Sequence, residues 1–367
     1  MQARSAWMFA IAATAGLQLH CSAPATLREL QAGEQAERSG HHDVALQQYR
    51  AAQQTCRRLT PKRRRDIACA QATLNEAELL DQDGNRAAAI VAYRKIAESP
   101  AAAASDDPTA LPPPGDPDAG LWARAGYRLG ALLLETNDAP AAYTAWWRVV
   151  TALPNEPTAG DALTALVRDA RLRNAAELTT HLSALLTPLA ETAIADNLLW
   201  WLADVAEHER NDATLARSYY DRIYQDHPQS GMRDDARWHA ARISRGLGDA
   251  AGAAQRLRGL LATREVAFGT GSYFSIWLDN AQLELGRVLR DDLHQPKAAA
   301  EAFAQLLKDY PASILRDDAL FELALTQSTA ADAATQRRGC AAWARLQHDF
   351  PDSKYLKRSN EVPTCQK

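Results

Sequence analysis

The chain has 367 residues, of which 47% are hydrophobic and 23% charged, and its formal net charge is −4. This much apolar sequence can bury a core, and the length suits either two or three ordinary domains or one elongated array. Charges of both signs are spread along the chain, so the composition gives no electrostatic reason to expect nucleic acid or a membrane surface as a partner.

The first 25 residues have the layout of a secretory signal. Arg4 precedes an apolar run of about fourteen residues, which is shorter than the ~20 that a membrane-spanning helix needs. Two processing sites stay open: an A-x-A cleavage before Thr26, and lipidation of Cys21, where a bacterial lipoprotein carries its lipid. Gln18 and His20 depart from the lipoprotein pattern. We therefore expect an exported protein, free in the periplasm or anchored to the outer membrane by Cys21.

Cysteine usage agrees with export. Without Cys21, four of the five cysteines remain, an even number that suits an oxidising compartment. We expect Cys56 to pair with Cys69, because the second helix of one helical unit and the first helix of the next bring them level. A bond between Cys340 and Cys365 then follows by elimination, and four buried thiols are the alternative. No Cys or His spacing suits zinc, so we expect no metal site.

From Thr26 onward, apolar positions recur three and four residues apart in runs of 10 to 16 residues, which predicts helices almost throughout. No convincing alternating segment predicts a strand. Clustered proline, glycine and aspartate at 99–120 predict an exposed loop. The fold class predicted is therefore all-α.

One spacing pattern recurs along the chain. Gly130 is followed twelve residues later by Ala142, four later by Trp146 and eight later by Pro154. Full or partial copies are Gly33/Ala45/Tyr49, Ala77/Ala89/Tyr93, Trp200/Ala216/Tyr220/Pro228, Ala241/Ala253/Leu257, Gly286/Ala299/Phe303/Pro311 and Ala324/Trp343/Pro351. The copy at Gly286 has one extra residue in its turn and the last copy about three. Residues 158–190 form two predicted helices without this pattern.

This spacing resembles the tetratricopeptide repeat (TPR) family, whose unit is a pair of helices of about 34 residues. The resemblance implies a right-handed α-solenoid of seven to eight helix pairs. The small residues let two helices approach closely, and the aromatic side chain fills the gap to the next unit. The domains expected are a signal sequence at 1–25, repeats at 26–98, the proline-rich loop at 99–120, a repeat and a degenerate helix pair at 121–190, repeats at 191–355 and a tail at 356–367.

The resemblance also bears on function. Aromatic-Pro-x-Ser junctions, as at Tyr310–Ser313, resemble those of bacterial envelope TPR proteins such as the lipoprotein of β-barrel assembly and the coordinator of the Tol-Pal system. It implies a scaffold that binds protein or peptide partners, without cofactor or catalysis. A secretion-system lipoprotein resembling a pilotin and a structural spacer without a ligand are the alternatives. No catalytic motif appears in a plausible structural context, so we expect no enzyme.

A ligand surface can be projected onto the repeats, because TPR arrays usually present the inner face of each first helix. The residues on that face in three successive repeats are Trp201 and His208, then Trp238, Arg242 and Arg245, then Arg287 and Arg290. With no carboxylate in the set, it predicts an acidic or C-terminal peptide as the ligand. The alternative is an ordinary solvated face in which each arginine pairs with a neighbouring carboxylate.

Overall fold

The structure is a computed structural model that describes residues 25–58, 67–98, 119–262 and 275–365. These residues form helices and turns, with no strand among them. The α-helices are α1 Ala25–Arg38, α2 His42–Arg57, α3 Ile67–Gln82, α4 Arg86–Ala97, α5 Ala119–Glu135, α6 Ala139–Ala152, α7 Pro157–Leu185, α8 Ala195–His208, α9 Ala213–Asp226, α10 Arg233–Gly246, α11 Ala250–Ala262, α12 Leu278–Arg287, α13 Pro296–Asp309, α14 Arg316–Ser328 and α15 Ala333–Asp349. A π-helical segment, Val288–Asp292, follows α12, and two 3₁₀ segments, Lys354–Glu361 and Pro363–Cys365, follow α15.

The chain divides into two compact units, Met1–Val149 and Val150–Lys367. In the first unit α1 packs on α2, α2 on α3, α3 on α4 and α4 on α5. In the second, each helix from α7 to α15 packs on the next. The predicted all-α fold of consecutive helix pairs is therefore confirmed. The signal sequence with Cys21, and nearly all of the proline-rich loop, lie outside the described residues.

Three helix pairs are held by an aromatic ring that lies against a small residue. At three glycines the ring is so close that a Cβ atom would overlap it. These ring and glycine pairs are Tyr49 on Gly33, Trp146 on Gly130 and Phe303 on Gly286. All three rings are almost completely buried. The predicted role of the small residue is therefore confirmed at these positions, where any larger side chain would push the two helices apart.

The turns inside the helix pairs share one backbone conformation. In six of them one residue has a positive φ, which costs least at glycine and is tolerated best elsewhere by asparagine, aspartate and histidine. These residues are Gly40, Gly84 and Gly248, with φ of 74°, 75° and 80°, and Asn137, Asn211 and His294, with φ of 64°, 52° and 54°. This turn thus recurs in six helix pairs although its residue type changes.

The repeated Pro-x-Ser motif joins one helix pair to the next. Ser313 Oγ accepts a hydrogen bond from the backbone N–H of Leu315 (3.0 Å), at the start of the new helix, and donates to Asp279 Oδ2 (2.6 Å) on the preceding first helix. Ser353 Oγ donates in the same way to Asp317 Oδ2 (2.8 Å). The serine and the acidic residue near the helix start therefore fasten adjacent repeats together.

Two departures from the pattern have local structural causes. The extra residue in the repeat of Gly286 is absorbed by the π-helical segment, in which Leu293 N–H donates to the carbonyl oxygen of Val288 (3.0 Å). In the degenerate pair, α7 is interrupted at Asn174, whose φ of −157° and ψ of 84° are not helical. The side chain of Asn174 accepts a hydrogen bond from Glu177 N–H (3.2 Å) and so caps the second half of α7.

Candidate functional site

The predicted ligand residues lie on successive first helices of the second unit. We call α8, α10, α12 with its π-helical segment, and α14 the first-helix layer, and α9, α11, α13 and α15 the second-helix layer. Side chains connect neighbouring members of the first-helix layer: His239 Nδ1 lies 3.5 Å from Glu207 Oε2, and Arg245 Nη1 lies 2.8 Å from Glu284 Oε1. The arrangement of the site therefore depends on contacts between repeats.

Trp238 lies in a contact between repeats rather than on an open face. Its side chain is only 9% exposed and stacks on Trp277, with ring centroids 5.1 Å apart and planes 13° apart. Trp277 Nε1 donates to Asp235 Oδ1 (2.6 Å). We call this arrangement an aromatic joint. The prediction that Trp238 lies on the face open to a ligand is wrong, because Trp277 covers the ring.

Arg245 reaches from α10 to three carboxylates of the next repeat. Its guanidinium donates to Glu284 (2.8 Å), Asp292 (2.6 Å) and Asp291 (3.4 Å). Burial opposes its charge, yet these hydrogen bonds and carboxylates raise the pKa of Arg245. Arg245 is therefore already neutralised within the protein.

Arg287 and Arg290 make the same kind of contact with α14. Arg287 Nε lies 2.8 Å from Glu322 Oε1, and Arg290 Nη1 lies 2.5 Å from Glu322 Oε2. Arg290 also donates to Asp291 Oδ1 (2.7 Å). Although burial opposes its negative charge, Arg290 and Arg245 lower the pKa of Asp291. For Arg245, Arg287 and Arg290 the alternative from the sequence, pairing with neighbouring carboxylates, is what the structure contains.

Three predicted residues remain accessible. Arg242 is exposed, and none of the ion pairs within the described residues involves it. His208 is also exposed, and its Nδ1 lies 3.0 Å from the carbonyl oxygen of Asp204. Trp201 is half-buried. The structure thus leaves Trp201, His208 and Arg242 of the predicted set available to a ligand.

Sequence reasoning missed a histidine between α8 and α10. His239 stacks on Tyr220 (5.0 Å between centroids) and meets the edge of Trp200 (5.6 Å). Its Nδ1 is buried without a hydrogen bond. Burial lowers the pKa of His239, and the charge of Glu207 acts in the opposite direction. His239 directly follows Trp238 in the sequence, but no spacing rule distinguishes it from a surface residue.

The two layers differ in charge. The first-helix layer carries twelve carboxylates and seven arginines, and the second-helix layer carries five carboxylates and nine lysines and arginines. Many carboxylates of the first-helix layer pair with Arg245, Arg287 or Arg290, as Glu284, Asp291 and Glu322 do. The seven residues chosen from the sequence include no carboxylate, but carboxylates lie at other positions of the same helices.

The four remaining cysteines form two disulfides. Cys56 joins Cys69, with Cα atoms 5.9 Å apart, and Cys340 joins Cys365, with Cα atoms 4.9 Å apart. These are the pairs expected from the sequence. Cys21 lies outside the described residues.

Comparison with known proteins identifies the repeat. The family model of the tetratricopeptide repeat matches residues 198–230 and 280–313. Two segments of this chain therefore match the tetratricopeptide repeat. The matched segments begin in α8 and α12 of the first-helix layer, and each continues through the helix that follows. No curated protein matches the sequence.

Three solved structures illustrate the likeness. A tetratricopeptide repeat protein from Parabacteroides merdae is 8% identical, with 94% of this chain and 99% of that chain covered and a TM-score of 0.30. Pseudomonas aeruginosa pilF is 15% identical, with 80% and 96% covered and a TM-score of 0.28. The TPR2AB domain of yeast Sti1, in complex with pHSP90, is 12% identical, with 88% and 98% covered and a TM-score of 0.29. TM-scores this low do not bear on function.

Within the described ranges, no group of three or more His, Cys, Asp or Glu side chains could hold a metal ion. No helix in the same ranges is both long and apolar enough to span a membrane.

Proposed function

We propose that this protein is a scaffold that binds a segment of a partner protein on its first-helix layer. The observation that carries the proposal is the row of half-exposed charged side chains on successive first helices of tetratricopeptide repeats. Such repeats are generally associated with non-catalytic protein-binding scaffolds, and a surface that recurs along the chain can hold an extended ligand.

The charge of this layer supports a cationic segment as the ligand. Carboxylates outnumber arginines there, and several, including Asp291 and Asp292, are partly exposed. Lysine and arginine side chains of a partner would compete for these carboxylates, and the excess negative charge would speed their approach. This partner chemistry replaces the acidic one that the sequence predicts.

An acidic or C-terminal segment is the second candidate. It is supported by Arg242, which is exposed and unpaired within the described residues, and by the neighbouring His208 and Trp201. Only one of the four predicted arginines is free to form a bidentate bond with a ligand carboxylate, so this candidate has less support.

Peptide binding tests the two candidates. Fluorescein-labelled Lys-rich and Glu-rich peptides of equal length would be titrated with the purified protein at about 50 mM and 300 mM salt, and affinity measured by anisotropy. We expect the basic peptide to bind more tightly, and the double variant Asp291→Asn, Asp292→Asn to weaken it about tenfold. The matched control, Glu301→Gln on α13, should change nothing. Tighter binding of the acidic peptide, lost in Arg242→Ala, would favour the second candidate.

We further propose that the protein acts in a bacterial cell envelope. The layout of the first 25 residues supports export, and two disulfides suit an oxidising compartment. The mass of the mature protein tests this: an N-terminus at Cys21 with added lipid indicates an outer-membrane anchor, and one near Thr26 indicates a periplasmic protein. An intact Met1 would contradict export.

The pathway we propose is outer-membrane assembly or envelope maintenance, supported by the junction motif quoted above. A secretion-system lipoprotein and a spacer without a ligand are the competing roles. Crosslinking in cells followed by identification of the partner separates them: assembly factors support the proposal, secretin subunits the first rival, and no reproducible partner the second.

A further inference from the structure

Residues 353–365, which we call the C-terminal segment, occupy the place of a first helix. Tyr355 stacks on Phe321, with centroids 4.4 Å and planes 13° apart, and its hydroxyl donates to Asp318 Oδ1. This is the aromatic joint again: Phe321 and Asp318 occupy the positions in their repeat that Trp238 and Asp235 occupy in theirs. Phe321 and Asp318, near the start of α14, therefore form the same socket that Trp238 and Asp235 form on α10 for Trp277, the residue before α12.

Other contacts complete the fit. Val362 is fully buried, and Tyr355 is 5% exposed. Thr364 Oγ1 donates to the carbonyl oxygen of Ser328 (2.9 Å), and the guanidinium of Arg358 lies 4.5 Å from the centre of the Phe321 ring. The segment thus covers the apolar core between α14 and α15.

The segment covers this core with little secondary structure of its own. It consists of 3₁₀ turns rather than a full helix, so it has fewer internal hydrogen bonds to hold its shape. A disulfide from Cys365 to Cys340 on α15 ties down its far end and closes a loop of 25 residues. Both cysteines are half-buried, as is Cys69 of the other disulfide, whereas Cys56 is 7% exposed. A reductant can therefore approach either sulfur of the bond at the C-terminal segment, but only the Cys69 sulfur of the other bond.

We propose that the C-terminal segment is a reducible cap, and that the Cys340–Cys365 bond controls whether the socket at Phe321 is filled. A dithiol reductant supplies the chemistry. One of its thiolates attacks Cys365 Sγ, the bond to Cys340 breaks, and Cys340 leaves as a thiolate. The second thiolate then displaces Cys365. The reductant ends as a disulfide, and two electrons and two protons end on the two cysteines.

Reduction changes how long the cap stays in place, because loop closure no longer holds the segment beside its socket. In the oxidised protein the disulfide keeps a detached segment close to the socket, so the segment rebinds there. In the reduced protein only Tyr355, Val362 and a few hydrogen bonds hold it. The opened socket, with its exposed ring and carboxylates, can then accept a Ser-x-aromatic segment in trans.

Hydrogen exchange of the full-length protein tests the cap. Exchange would be followed by mass spectrometry in the oxidised protein, in the double variant Cys340→Ser, Cys365→Ser, and in the matched control Cys56→Ser, Cys69→Ser. We expect exchange at 354–365 to rise roughly 300-fold in the first variant, the scale that loop closure of this length gives, and to be unchanged in the control. Unchanged exchange in the first variant would overturn the proposal, as would an equal rise throughout α14 and α15.

A second measurement addresses the socket directly. A fluorescein-labelled peptide of residues 351–364 would be added to the oxidised protein and to the Cys340→Ser, Cys365→Ser variant. Binding to the variant alone supports the cap, and equal binding to both, or to neither, contradicts it. This probe contacts Asp317 and Asp318 of α14, whereas the Lys-rich peptide is tested through Asp291 and Asp292, so the variant Asp291→Asn, Asp292→Asn separates the two results.

Discussion

The two aromatic joints make the same contact, but the rings that complete them belong to segments of different secondary structure. Between α10 and α12, the ring that stacks on Trp238 belongs to a residue directly before a full helix. After α14, the ring that stacks on Phe321 belongs to a short 3₁₀ segment with a disulfide at its end. In both joints the ring donates a hydrogen bond to an aspartate near the start of the preceding first helix. Positions within the repeat thus determine the contact. The Cys340–Cys365 disulfide occurs beside the joint whose second ring, that of Tyr355, is not followed by an α-helix.

The largest effect expected is that of Trp238→Ala. Removing a ring that is 9% exposed and stacked on Trp277 leaves a cavity in the core of the second unit, and we expect a loss of about 3–5 kcal/mol in the free energy of unfolding. Chemical denaturation measures it. Trp201→Ala, at a half-buried position on the adjacent first helix, should cost clearly less. Equal losses of unfolding free energy in the two variants would mean that the aromatic joint contributes no stability beyond the burial of a ring.

Removing only the hydrogen bond of either aromatic joint should reduce stability less than removing a ring. Trp277→Phe keeps a ring but removes the donor to Asp235, and we expect a loss of about 1–3 kcal/mol. Tyr355→Phe should cost about 1 kcal/mol, because Asp318 keeps Lys354 at 3.6 Å and Arg287 at 3.8 Å. Both are read from the free energy of unfolding of the oxidised protein. A larger loss for Tyr355→Phe would show that the joint at the cap depends more on its hydrogen bond than the joint inside the repeats.

The smallest expected effect is the pH dependence of stability that arises from His239, which packs between α8 and α10. Its pKa is lowered in the folded protein, mainly by burial, so below the ordinary histidine pKa the unfolded chain binds the proton more readily. Stability should therefore be constant above about pH 7 and fall as the pH drops through about 6.5, the ordinary value. Thermal unfolding from pH 8 to pH 5 measures this slope.

The matched variant is His239→Phe, which keeps a ring against Tyr220 and should reduce the slope. An unchanged slope would assign the pH dependence to other groups.

The sequence predicted the features that depend on spacing within one repeat. The contact of the Trp146 ring with Gly130 follows from local pattern, and it is present. The pairing of Arg245 with Glu284 does not, because the partners lie 39 residues apart and meet only when two repeats stack. The burial of Trp238 was not predicted for the same reason. Trp277, which covers it, lies in the segment that joins two repeats, and the projection of a single helix face does not include that segment.

The two disulfides also shorten the chain that a stretching force can extend. Cys56–Cys69 spans 13 residues and Cys340–Cys365 spans 25. At about 3.4 Å per extended residue, these bonds withhold roughly 45 Å and 85 Å of contour length. A single molecule pulled from its two ends should therefore become about 130 Å longer after full reduction.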